Sequence, residues 1–115
     1  MKIAIAQINC TVGDLTGNTA KILAAAEQAK LAGADLIITP ELALCGYPPQ
    51  DLLLRTEFYL ACNRALNDLV DQVKDITLLV GHPHHQGNHL FNAASLVSDG
   101  EIIALTGDFE NDITD

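Results

Sequence analysis

Glu41 is the residue best placed for chemistry in this 115-residue chain. It follows Leu36-Ile37-Ile38-Thr39-Pro40, an apolar run that reads as the end of a buried strand. Ligands of α/β sheets bind beyond the carboxyl ends of such strands. A carboxylate held there and partly desolvated binds its proton more tightly and can act as a general base. A solvated loop carboxylate fits the same position, and position alone leaves both readings open. Cys45 lies four residues further on. Thiolate chemistry needs a cationic or basic neighbour, and none is close in sequence. Gly46 and Pro48 also break a helical spacing, so Cys45 reads as a buried thiol. Cys10 and Cys62 sit in apolar patterns and read as core. His82, His84, His85 and His89 fall within eight residues, dense enough for a transition metal. Pro83 and Gly87 interrupt them and no carboxylate or thiol joins them, so a polar loop is expected and no metal is assigned.

The elements that must position these residues follow from periodicity. Lys2–Asn9 reads as a strand, and Leu36–Thr39 as a second, continuously apolar one. Between them Thr16 or Asn18 can cap a helix that runs to about Leu31, with Gly33 as its stop. Strand, helix, strand implies a parallel pair with a right-handed crossover. Pro40–Arg55 reads as a long loop. Phe58, Cys62, Ala65, Leu66, Leu69, Val70 and Val73 then mark one face of an amphipathic helix. Arg64, Asp68, Asp71, Gln72 and Asp75 fall on its wet side. Ile76–Val80, His89–Val97 and Glu101–Leu105 read as three more strands. Asp99-Gly100 joins the last two as a hairpin turn. The expected fold is α/β and layered, with mixed strand directions.

Composition excludes several function classes. The net charge is −9, from 15 acidic and 6 basic residues, which disfavours a nucleic-acid partner. No apolar run is long enough to cross a bilayer, so no membrane partner is expected. Three cysteines without CxxC spacing argue against a disulfide scaffold or zinc site and suit a cytoplasmic location. Walker, GxGxxG and GxSxG motifs are absent, so no cofactor is expected in this chain. Residues 99–115 carry six of the acidic groups and no lysine or arginine. Their last part has little to bury, so residues 106–115 are expected to form a divergent, disordered acidic tail after a domain spanning 1–105.

Residues 40–55 read PELALCGYPPQDLLLR. This run resembles the nitrilase-type, carbon–nitrogen hydrolase glutaminase domain of glutamine-dependent NAD synthetases. PE followed by GY is common to the wider superfamily, and the GYPPQDLLLR continuation points to the NAD synthetase branch. KIAIAQINCTVGDLTGN, GADLIITPE, LLVGHP and HLFNAASLVSDGEII agree with it, so the likeness covers about residues 1–104. It implies part of an αββα sandwich and a Glu-Lys-Cys triad. In that family the cysteine attacks the side-chain amide of glutamine, the glutamate moves protons and the lysine stabilises the tetrahedral intermediate. A separate synthetase domain, using ATP and Mg, passes the ammonia to deamido-NAD. Glu41 matches the family's glutamate, and Tyr47 lies in the GY motif, where it borders the glutamine pocket or serves packing.

Two triad members have no match. The family's lysine follows the strand seen here as Glu101–Leu105, where this chain reads Thr106-Gly107-Asp108-Phe109-Glu110. The last lysine is Lys74, and none of Cys10, Cys45 or Cys62 matches the nucleophile. The chain therefore reads as the N-terminal part of a glutaminase domain with an abnormal end, inactive alone. The alternatives are a non-catalytic module that self-associates through an exposed sheet, or a fragment of another carbon–nitrogen hydrolase such as an amidase or nitrilase.

Overall fold

The computed structural model describes residues 1–46, 52, 55–87 and 89–107. Its elements are β1 (Ile3–Ile5), α1 (Leu15–Leu31), β2 (Leu36–Ile38), α2 (Thr56–Gln72), β3 (Thr77–Gln86), β4 (His89–Ser98) and β5 (Glu101–Gly107). The strands form a single sheet in the order β1-β2-β3-β4-β5. β1, β2 and β3 are parallel, and β4 and β5 are added antiparallel. The two crossovers between the parallel strands contain α1 and α2, as connections of that kind require.

Both helices cover one face of the sheet. Ile22, Ala26 and Ala29 of α1 and Cys62, Leu66, Leu69 and Val70 of α2 meet Ile37, Leu78, Val80 and Val97 of the strands in one buried cluster. The α2 positions are those whose periodicity marked the apolar face. Strand alternation sends the neighbouring residues to the other face. There Ile3 is 52% exposed and Ile5 73% exposed. On the same face Leu36, Ile38, Leu79 and Leu96 are half-buried, so the exposure is greatest at the edge strand β1. None of their helices is long and apolar enough to cross a membrane.

Several boundaries differ from expectation. Strand β1 covers three residues rather than Lys2–Asn9, because its partner β2 is equally short and the ladder ends with it. One further bond, from the Ala6 N–H to the Ile38 carbonyl at 2.8 Å, extends the pairing. Helix α1 is capped by Asp14, whose carboxylate accepts from the Gly17 N–H at 3.0 Å. Thr16 and Asn18 lie inside the helix. Its end is as expected: Gly33 has φ +83°, its N–H bonds the Lys30 carbonyl, and the Ala34 N–H bonds the Ala29 carbonyl. These two bonds are a Schellman motif.

Strand β3 runs to Gln86 and takes in His82, Pro83, His84 and His85, which were expected in a loop. Proline is tolerated there because of which edge it faces. Leu79 and Gly81 turn their carbonyls toward Thr39 and Leu44, away from β4. By alternation Pro83 faces the same side, so its missing N–H removes no bond to β4. Alternation also separates the histidines, with His82 and His84 on one face and His85 on the other. No group of three metal-ligating residues forms among the described residues. The hairpin between β4 and β5 has the expected turn, with Asp99 at φ 50° and Gly100 at φ 82°. Strand β5 continues through Thr106 and Gly107, and residues 108–115 lie outside the described part.

Candidate active site at the carboxyl end of strand β2

Strand β2 ends at Ile38, and the chain turns at once through Glu41–Cys45. Thr39 fixes the exit of the strand. Its N–H bonds the Leu79 carbonyl at 3.0 Å, its hydroxyl donates to the same carbonyl at 2.9 Å, and that hydroxyl accepts from the Gly81 N–H at 3.3 Å. The Ala43 N–H then bonds the Pro40 carbonyl at 3.1 Å, and the Leu44 N–H reaches across to the Gly81 carbonyl at 3.1 Å. Leu42, directly after Glu41, has φ 51° and is fully buried. A branched, buried residue in the left-handed region is held there only by surroundings that fix it from several sides.

Two residues supply that fixation. Gly81 lies under the turn. A Cβ at this position would sit 2.6 Å from the Leu42 nitrogen and 2.7 Å from the Pro40 oxygen. Asn18 holds the turn from the helical side. Its Oδ1 accepts from the Thr11 N–H at 2.8 Å, and its Nδ2 donates to the Thr11 carbonyl at 2.7 Å and the Leu44 carbonyl at 3.2 Å. Asn18 is wholly buried and uses both ends of its amide, so it clamps the loop before α1 to the turn after β2.

Glu41 itself is exposed, at the rim of an open pocket of about 520 Å³ lined by Thr39, Leu79, Gly81, Asn92, Ala94 and Thr106 among others. Asn92, on β4, donates its side-chain amide to the Glu41 carboxylate. This contact orients one carboxylate oxygen. Of the described residues singled out from sequence as site candidates, only Glu41 lines this pocket. Tyr47 lies outside the described residues. Cys45 and Cys62 are buried in the core, and Cys10 packs against it. The neighbouring Cys62 thiol and burial push the Cys45 thiol up, and its Sγ donates to the Gly46 carbonyl at 3.2 Å. Gly81, Asn18 and Asn92 were not recognised as parts of the site.

His82 is occupied elsewhere. It is buried beside Ser95, with Nε2 and the Ser95 hydroxyl 2.7 Å apart and Nδ1 3.0 Å from the Pro83 carbonyl. A carbonyl only accepts, so Nδ1 carries the proton and Nε2 accepts from the serine hydroxyl. Burial lowers the His82 pKa below its ordinary 6.5, and His84 is lowered too, again mainly by burial. The unfolded chain therefore takes up these protons at a higher pH than the folded one. Stability is expected to be full above about pH 6.5 and to fall as the pH drops toward the folded-state values. The slope is up to about 1.4 kcal/mol per pH unit for the buried His82, and less for the more exposed His84. Urea unfolding across this range tests it, and an unchanged profile in His82→Gln would remove the assignment to His82.

The carbon–nitrogen hydrolase family model matches residues 2–109. The chain belongs to the carbon–nitrogen hydrolase family. A glutamine-dependent NAD(+) synthetase of Synechocystis sp. is 46% identical to this chain over 108 residues, covering 87% of it and 19% of the relative. The chain thus spans about a fifth of the length of the curated relatives it matches. The structure of a glutamine-dependent NAD+ synthetase from Acinetobacter baumannii superposes with a TM-score of 0.84 at 34% identity, covering 92% of this chain and 20% of that one. An amidase from Nesterenkonia sp. superposes with a TM-score of 0.75 at 30% identity, covering 91% and 41%. The five-stranded sheet with two helices is accordingly part of the carbon–nitrogen hydrolase fold, as the PE and GY motifs implied.

Proposed function

We propose that this chain forms the glutamate-bearing part of a glutaminase domain of the glutamine-dependent NAD synthetase type, with Glu41 as its proton-transferring group. The observation that carries this is the placement of Glu41. It sits at the carboxyl end of a parallel strand, over an open pocket, on a turn whose backbone is fixed by Gly81 and Asn18. In the reaction a cysteine sulfur would attack the side-chain amide carbon of glutamine while the glutamate takes the thiol proton and passes it to the departing ammonia. Glutamine is then the substrate, and the ATP and Mg used with deamido-NAD belong to a separate synthetase domain. The amidase reading shares the same pocket. Identities of up to 46% to NAD synthetases, against 30% to the amidase, favour the former.

The covalent step needs groups that this 115-residue chain does not present near Glu41. It has no lysine after Lys74, and two of its three cysteines, Cys45 and Cys62, are buried in the core. Loss of a nucleophile alone costs on the order of 10⁶ in rate where it has been measured. The isolated chain is expected to release no ammonia from glutamine above the uncatalysed background. An enzyme-coupled ammonia assay tests this. A rate that is saturable and disappears in Glu41→Gln would show that the chain is catalytically complete.

A further inference from the structure

We propose that Asn92 is the positioning residue of this site: its side-chain amide, carried on the sheet, fixes the orientation of the Glu41 carboxylate. The role rests on the reading of Glu41 as the proton-transferring group, whereas the contact behind it does not. The turn that holds Glu41 fixes only its backbone. The bonds from Ala43 to Pro40 and from Leu44 to Gly81, and the close approach of Gly81, all act on main-chain atoms. Beyond its Cα the Glu41 side chain is exposed and has several rotatable bonds. A proton acceptor that samples many rotamers is aligned with a substrate only part of the time. Among the described residues no cation pairs with Glu41, and the Asn92 amide is the hydrogen-bond donor to its carboxylate.

The sheet makes Asn92 a rigid donor. β4 pairs with β3 from Val97 opposite Leu78 to His89 opposite Gln86, the longest ladder among the described strands, and with β5 on its other side. The register sets Asn92 opposite Pro83, and Ala94 between Gly81 and Thr106. Alternation turns Asn92 and Ala94 to one face, and both line the pocket at whose rim Glu41 sits. β4 contributes Asn92, Ala93 and Ala94 to that lining, and only Asn92 is polar. It is half-buried, so it has less freedom to lose than a long exposed side chain would. Its donor is also neutral. An amide orients a carboxylate without cancelling its charge, which a lysine or arginine in the same place would do. An aspartate there would have the same shape, but as a carboxylate it accepts only and would repel Glu41.

The test is nuclear magnetic resonance of the folded 115-residue chain at neutral pH. In the wild type the paired Hγ protons of Glu41 are expected to be inequivalent, with the couplings of a single rotamer. The Asn92 side-chain amide signals are expected to shift in Glu41→Gln. Asn92→Ala should collapse the Glu41 Hγ signals to one averaged position and leave the backbone spectrum unchanged away from the site. Asn92→Asp should average them as fully as alanine does, because it keeps the shape and loses the donor. A purely structural role of Asn92 would not produce that result. Averaged Glu41 signals in the wild type would overturn the proposal, as would ordered ones in either Asn92 variant. If an Asn92 variant does not fold, the wild type and Glu41→Gln decide, and identical Asn92 amide signals in the two would exclude the contact. No turnover is read, so failure of the glutaminase reading would leave these signals unchanged. A negative result removes the role of Asn92 and leaves that reading to the ammonia assay.

Discussion

Gly81→Ala is expected to destabilise the chain by about 3 kcal/mol, within the range seen when a well-packed interior is overfilled. The added methyl would meet the Leu42 nitrogen at 2.6 Å and the Pro40 oxygen at 2.7 Å, and both are backbone atoms. A flexible side chain could swing away, but these atoms are held by the bonds of Thr39, Ala43 and Leu44. The backbone at Gly81 is not left-handed, so alanine carries no conformational penalty there and the cost is purely steric. The comparison that isolates it is Gly87→Ala. Gly87 has nothing within 4 Å of its ideal Cβ but has φ +64°, so its cost should be only the roughly 1–2 kcal/mol of a left-handed residue. Urea midpoints of the two variants give the answer. A Gly81→Ala variant as stable as wild type would mean that the Glu41 turn does not lie against β3.

The second large effect is expected at Asn18. Alanine there strands the Leu44 carbonyl in a buried place and unpairs the part-buried Thr11 N–H and carbonyl. At roughly 1–3 kcal/mol for each group left unpaired, with some recovered by water, the loss should be about 3–4 kcal/mol. Asn18→Asp should be worse at neutral pH, although it is closer in shape. Its second oxygen would face two carbonyl oxygens instead of donating to them, and the buried carboxylate would keep only the Thr11 N–H as a partner. Thermal unfolding of both variants at pH 7 ranks them. An aspartate variant more stable than the alanine variant would show that the amide nitrogen of Asn18 is not the clamp.

These two residues also mark where sequence reading stopped. Helix α2 was legible because its apolar positions repeat every three or four residues and all point to one core. Glu41 was legible because a charge directly after a buried strand and a proline is conspicuous. In the sequence Asn18, like Thr16, reads as a candidate helix cap, the ordinary use of asparagine near a helix start. Only the structure shows that Asp14 fills that role and frees Asn18 to bond two loops. Gly81 carried no local signal, because its requirement comes from residues about forty positions earlier. Asn92 is a single polar residue in an apolar strand, and only pairing sets it opposite Pro83 and within reach of Glu41. Strand β3 was cut short at Val80 because a proline and three histidines resemble a loop. Which edge of a strand faces a neighbour is a property of the sheet and cannot be seen in one segment.

The strand order has a consequence for how the fold is assembled. Each strand lies beside the one that precedes it in the chain, with no later strand inserted between earlier ones. The sheet can therefore grow from one edge in the order in which a ribosome delivers it, without reopening a pairing already made. The growth is uneven. β3, β4 and β5 form a meander closed by short turns, whereas β1 and β2 must each wait for a helical crossover before their ladders of three residues can form. Loop closure is cheapest for the meander, so it is the natural nucleus, and the Glu41 turn is completed only when β2 docks onto it.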